Sequence, residues 1–94
     1  MKTGIELIAD EREEQIKKHG KTKDHDIEEN YDRQLSQAAS NLCNFNMYNQ
    51  HIEGSCPHGW DDNLWHKICT KSYKERLIIA GALIAAEIDR LKYC

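Results

Sequence analysis

No stretch of this sequence is apolar for the roughly 20 residues that a membrane-spanning helix requires. The longest apolar run, Leu77 to Ala86, covers ten residues in a chain of 94 that is 31% charged. A basic excess is also missing. Lysine and arginine number 13 against 16 acids, and a formal charge of −3 offers duplex nucleic acid no electrostatic footprint. There is no glycine-rich phosphate loop and no specific Ser/His/Asp constellation, which sets aside two common routes to nucleotide and acyl chemistry. Proline occurs once, at Pro57, and neither internal repeats nor low-complexity tracts interrupt the chain. The opening Met1-Lys2-Thr3-Gly4 shows no secretory or lipidation pattern. Four cysteines, Cys43, Cys56, Cys69 and Cys94, come with nothing that argues for an oxidising compartment. The expectation is a single cytoplasmic domain spanning 1–94, holding free thiols and making no membrane contact.

Helical signals dominate what is present. Thr3-Gly4-Ile5-Glu6 reads as a capping box opening a helix over about 4–19, with Gly20 as its stop. Ile5, Ile8, Ala9 and Ile16 form its apolar stripe, while Glu13–Lys17 and Glu14–Lys18 are i,i+4 pairs on the wet side. Asp26-Ile27-Glu28-Glu29 is a second capping signature. Ile27, Tyr31, Leu35, Ala38, Leu42 and Phe45 follow at helical spacing, predicting a helix over about 27–46. Residues 47–71 have weak periodicity and read as a long irregular loop with one short turn near 62–67. Ser72-Tyr73-Lys74-Glu75 caps a third helix over about 73–92. The fold class is all-α, three main helices around that loop.

Because the run from Leu77 to Ala86 has no polar side, the third helix must be covered all round. Gly81 with Ala85, and Ala82 with Ala86, are small pairs four apart that admit a close neighbour. Three helices are too few for that cover, so an oligomeric helical bundle, a homo-oligomer, is expected.

Several residues invite chemistry. On a wheel of about 100° per residue, Arg12 falls inside the apolar stripe of the first helix, either snorkelling or aimed at a carboxylate or ligand phosphate. Glu28 and Asp32 are four apart and share one side of the predicted second helix, a spacing that suits Mg²⁺ but also complements the helix dipole. Gln34 borders the same stripe. Glu87 lies beside the stripe of the third helix and needs a partner, for which Arg12 is the candidate; Asp89 and Arg90 are assigned to the solvated side. Asp24-His25-Asp26 resembles a fragment of a metal phosphohydrolase site, although capping and turn formation account for its acids. Cys56, His58, His66 and Cys69 are zinc-type ligands within 14 positions, at a spacing that matches no standard finger. Trp60 and Trp65 could instead anchor a protein partner.

Ile5-Glu6-Leu7-Ile8-Ala9-Asp10-Glu11-Arg12, Gln15, Gly20, His25-Asp26, Leu35, Ala38-Ala39, Trp60-Asp61, Trp65, Ala80-Gly81-Ala82-Leu83-Ile84 and Glu87-Ile88-Asp89-Arg90-Leu91 together resemble a family of small tailed-phage and prophage proteins. The likeness spans most of the chain and implies a host-cell cytoplasmic location, but no activity. More distantly, the chain resembles the MazG-like all-α nucleoside triphosphate pyrophosphatases. Their phage members open with a helix carrying Glu-Arg and Gln before a glycine, here Glu11-Arg12, Gln15 and Gly20. Their Mg²⁺ is held by a Glu-Glu-x-x-Glu helix and a later Glu-x-x-Asp helix. Glu28-Glu29-Asn30-Tyr31-Asp32 is the nearest equivalent of the first, and Glu87-Ile88-Asp89 stands for the second one residue short. Residues two apart point about 200° from each other, so Glu87 and Asp89 cannot face one metal.

The resemblance implies a protein that holds a nucleotide phosphate through Arg12, Glu28, Asp32 and Glu87. It is either a Mg²⁺-dependent pyrophosphohydrolase or, with a ligand missing, a nucleotide- or cyclic-nucleotide-sequestering protein without catalytic residues. The competing expectation is a non-catalytic protein that inhibits a host defence factor through the Trp60/Trp65 loop.

Overall fold

A computed structural model describes residues 1–20, 25, 28, 30, 32–44 and 55–92. Among them are four helices and no strand: α1 (Gly4–His19), α2 (Gln34–Leu42), α3 (Asp62–Cys69) and α4 (Tyr73–Leu91). The all-α expectation is met, with one helix more than the sequence suggested.

The ends of α1 follow its local chemistry. Thr3 Oγ1 accepts from the Glu6 backbone N–H while the Glu6 carboxylate accepts from the Thr3 N–H, closing the capping box. That bond holds the Glu6 carboxyl below its ordinary value, so this small capping contribution fades as pH falls through the lowered value. Gly20, at φ 65°, takes the left-handed cap and returns its N–H to Gln15. Both wet-side pairs form, Lys17 with Glu13 and Lys18 with Glu14.

The second helix is shorter than periodicity implies. Asp32 lies in a turn and Arg33 adopts the left-handed region at φ 65°, so α2 begins only at Gln34. The cause is a side chain: Gln34, buried to 1% exposure, accepts the Asp32 N–H at 2.7 Å. That donor is no longer available to a continuing helical ladder. His25 and Glu28 are helical, whereas Ile27, Tyr31 and Phe45 of the expected stripe lie outside the described residues, as do Asp24, Asp26 and Cys94. At the other end, buried Arg76 of α4 donates to the carbonyls of Leu42 and Asn44, at 3.3 and 2.9 Å, and so caps α2.

The expected loop contains α3. Asp61 caps it, accepting the Leu64 N–H at 2.9 Å. A turn precedes it, with the Trp60 N–H bonded to the Pro57 carbonyl and Gly59 at φ 83°, the sign that this position of a type II turn demands. Amide side chains stitch this segment to the rest. Gln34 donates to the His58 carbonyl, Asn41 to the Ser55 carbonyl, and Trp60 Nε1 to Asn30 Oδ1.

α4 is central, packing against both α2 and α1. Leu35, Ala38, Ala39, Leu42, Trp65, Cys69, Ile79, Ala80, Leu83 and Ala86 make one core cluster, drawn from α2, α3 and α4 with no member from α1. α4 is nevertheless not covered all round within the chain: Leu77, Ile84, Ile88 and Leu91 remain exposed. The close neighbour at Gly81 is α1 of the same chain, since a Cβ there would stand 2.6 Å from Ile8 Cδ1. Among the described residues no helix is long and apolar enough to cross a membrane.

Candidate functional site

The buried side of α1 differs from its expected stripe. Ile5 is 82% exposed and Ile16 38%, while Arg12 and Gln15 are buried to 9% and 8%. Ile8, Arg12 and Gln15 sit at i, i+4 and i+7, so they share the face turned toward α4. Ile8 meets Gly81 there, and the two polar side chains follow it inward.

They open onto a cleft of about 750 Å³ bounded by α1, α3, α4 and the turn before α3. Leu35, Ile68, Ile78, Ile79, Leu83 and Ala86 give it an apolar floor, and Trp60 forms an aromatic wall. Arg12, Gln15 and Asn30 bring buried polar groups to it. Its rim carries Lys67 and Lys71 together with Glu11, Glu14, Asp61 and Glu75, and His25 also lines it. Several rim charges are paired off: Lys71 with Glu75 and Lys18 with Glu14, each at 3.7 Å. Arg12 lines the cleft and reaches Asp89 at 4.0 Å.

Gln15 is the sharpest polar feature. Its Nε2 donates to Glu11 Oε2 at 3.2 Å, and a carboxylate accepts only, so the orientation of the amide is fixed. Oε1 therefore points the other way, and this buried acceptor meets no donor among the described residues. A native protein seldom leaves such an atom unsatisfied unless something else satisfies it.

The two tryptophans are set edge to face, centroids 5.9 Å apart and planes at 78°. Trp65 is 1% exposed, inside the core, with Nε1 on Ser55 Oγ at 2.9 Å. It cannot act as the surface anchor that the sequence suggested. Trp60 is half-buried and turned to the cleft.

The other expected site residues are scattered. Glu28 and Asp32 are both exposed, and with Asn30 outside any helix and Asp32 in a turn they do not share one helical face. Glu87 is buried, but its carboxylate takes Arg90 Nε of its own helix rather than Arg12, and it does not line the cleft. Arg90, assigned to the solvated side, is 7% exposed. Of the four groups expected to hold a nucleotide, the cleft contains Arg12 alone.

The zinc-type set is also dispersed. His58 and His66 are exposed, Cys69 is fully buried, and no three His, Cys, Asp or Glu converge among the described residues. Cys56 Sγ donates to the Trp60 carbonyl at 3.5 Å. Burial pushes both thiols up to about 11, with Asp62 adding to the effect at Cys56.

Asn30, Lys67 and Lys71 were missed by sequence reasoning, and Gln15 was noted only as part of a resemblance and not as a site residue. For Gln15 a signal existed: it follows Arg12 by three and Ile8 by seven, the spacing of one helical face. Asn30 and the lysines carry no local signature. No family model matches the chain, and neither does any curated protein or solved structure.

Proposed function

We propose that the cleft holds a nucleotide by its phosphate and its base, and retains it without cleaving it. One observation carries the reading: a largely apolar cleft whose inner wall presents a buried guanidinium and a fixed, unsatisfied amide oxygen. An apolar recess with a few convergent polar groups is the usual form of a small-molecule site. Arg12 supplies a charge-assisted fork for phosphate oxygens, and Lys67 stands at the rim. Trp60 and the aliphatic floor offer a face for the base, and Gln15 Oε1 an acceptor for a ring or exocyclic N–H.

The MazG-like likeness supports the same place. Arg12 and Gln15, two residues of its opening motif, line the cleft. The carboxylates that would complete its metal site do not: Glu28 and Asp32 are at the surface, and Glu87 is engaged by Arg90. Retention without hydrolysis is the reading that fits both facts. A sequestering protein of phage type, working in the host cytoplasm, is the role this would serve.

The test is a titration with deoxynucleoside triphosphates and cyclic nucleotides, with and without Mg²⁺, followed by tryptophan fluorescence and equilibrium dialysis. A ligand of the proposed kind quenches Trp60 and is recovered intact. Arg12→Gln weakens its binding by about 10-fold or more. Release of pyrophosphate would replace retention with catalysis. Failure of every nucleotide to bind at millimolar concentration would end the proposal.

A further inference from the structure

Beside Arg12, the wall that α1 gives to the cleft carries a second polar feature. Glu11 and Gln15 stand one helical turn apart and both line the cleft, Glu11 partly exposed and Gln15 buried. Gln15 Nε2 donates to Glu11 Oε2 at 3.2 Å, so a donor of the pair is spent within it. Acceptor capacity is what the oxygens keep. The carboxylate accepts only, and Gln15 Oε1 meets no donor among the described residues. A ligand that satisfies this edge has to bring hydrogen-bond donors to it.

Charge decides which part of a nucleotide those donors belong to. The Glu11 carboxylate repels phosphate, and Glu14, which also lines the cleft on α1, adds to that sign. Phosphate therefore belongs with Arg12, and the base with Glu11 and Gln15. Trp60 and the aliphatic floor meet the faces of the base, which leaves its edge for the acceptors to read.

We propose, resting on the reading of the cleft as a nucleotide site, that Glu11 and Gln15 make it selective for guanine. Among the common bases only guanine sets two donors side by side, the N1–H and the 2-amino group. Glu11 accepts from these donors, and Gln15 Oε1 extends the acceptor edge beside it. Adenine places its amino group next to N1, an acceptor, and cytosine places its own next to N3, another acceptor. Either one turns a lone pair toward the carboxylate. Thymine has a single N–H between two carbonyls. Discrimination thus has an attractive part for guanine and a repulsive part against the other bases. The bond from Gln15 also holds the Glu11 carboxylate in position before the ligand arrives.

Equilibrium dialysis of the full chain against dGTP, dATP, dCTP, dTTP and dITP tests the proposal. dGTP binds at least about 10-fold more tightly than dATP. dITP, which keeps the N1–H and lacks the 2-amino group, falls between them. Glu11→Gln replaces a pure acceptor by an amide and narrows the dGTP-to-dATP ratio by at least about 5-fold. The ratio is taken within one variant, so a general weakening of phosphate binding cancels, and helical circular dichroism checks the fold. dATP bound as tightly as dGTP would overturn base selection and leave the nucleotide reading standing. A preference that survives Glu11→Gln unchanged would overturn the assignment to Glu11. Failure of all the nucleotides to bind would end both readings.

Discussion

Where α4 meets α2 and α3, the contacting side chains are leucine, isoleucine, alanine, tryptophan and a buried thiol, joined in one cluster. Where it meets α1, the buried side chains of α1 are an arginine and a glutamine, beside an isoleucine seated on a glycine. The first seam removes apolar surface from water at about 25 cal/mol per Å² and leaves few polar atoms to satisfy. The second buries a charge and an amide, which costs free energy unless each finds a partner. The first seam is the dry core of the molecule, and the second borders the cleft proposed above as a binding site.

Truncation in the dry seam should produce the largest effect. Leu42 has no exposed surface, so Leu42→Ala leaves a cavity and should cost about 2–5 kcal/mol. Arg12→Met keeps the volume and removes the charge, and should stay within about 1 kcal/mol of the parent. Both are read by urea unfolding at one protein concentration, because any association shifts the apparent stability. If Arg12→Met proves as costly as Leu42→Ala, the contrast between the seams collapses and Arg12 is a structural residue.

Next in size is the contact between α1 and α4. A methyl group at Gly81 would collide with Ile8 Cδ1 at 2.6 Å and Cγ1 at 2.8 Å. Overpacking of this kind costs about 1–3 kcal/mol, offset in part by roughly 1 kcal/mol of helix propensity gained over glycine. Removing the obstacle should reverse the sign, so Gly81→Ala with Ile8→Ala should be more stable than Ile8→Ala alone. The double-mutant cycle should give a coupling of about 1 kcal/mol or more. Simple additivity would mean that α1 shifts freely on α4, and that the cleft between them has no fixed shape.

The two seams were also unequally legible in the sequence. Caps are local, and Thr3, Gly20 and Ser72 mark α1 and α4 without reference to the rest of the chain. The dry stripe of α2 was readable from Leu35, Ala38 and Leu42 because apolar periodicity and burial agree there. On α1 they disagree. Ile5 and Ile16 look like the inner face, but the position of α4 selects Ile8, Arg12 and Gln15 instead. Tertiary contact overrides a weak pattern, and it does so where the candidate site lies. The capping of α2 by Arg76 depends on its reaching backbone groups 34 and 32 residues away, which no window of sequence contains, whereas the break at Arg33 goes with a local contact, Gln34 accepting the N–H of Asp32 two residues before it. α3 had a signal that was underused: Asp61 as cap, then Leu64, Trp65, Ile68 and Cys69 at helical spacing.

Gln15→Leu should shift stability little and binding a great deal. Oε1 meets no donor among the described residues, so replacing the amide by an apolar group of similar size should be neutral or stabilising by up to about 1 kcal/mol. Nucleotide affinity should fall in the same variant if Oε1 accepts a ligand N–H. A marked loss of stability would show that Oε1 serves the α1 seam. Unchanged affinity would remove Gln15 from the site and leave Arg12 and Asn30 as its inner polar groups.

The smallest effect concerns the thiols, and it tests how tightly the dry seam is closed. Cys69 is fully buried and raised from 9.0 to about 11, chiefly by loss of water around the thiolate, with Arg76 acting weakly in the opposite sense. Cys56 is raised to about 11 by burial and then by Asp62. A thiol whose value is higher folded than unfolded contributes fully below the unfolded value. That contribution is lost as pH rises through the folded one, so stability should decline between about pH 9 and 11. At pH 8 iodoacetamide should modify exposed Cys43 well before Cys56, and Cys69 last of these three, with peptide mapping keeping Cys94 separate. Labelling of Cys69 at the rate of Cys43 would mean that the α2–α4 seam opens freely, and the seam assigned to stability would then be the looser of the two.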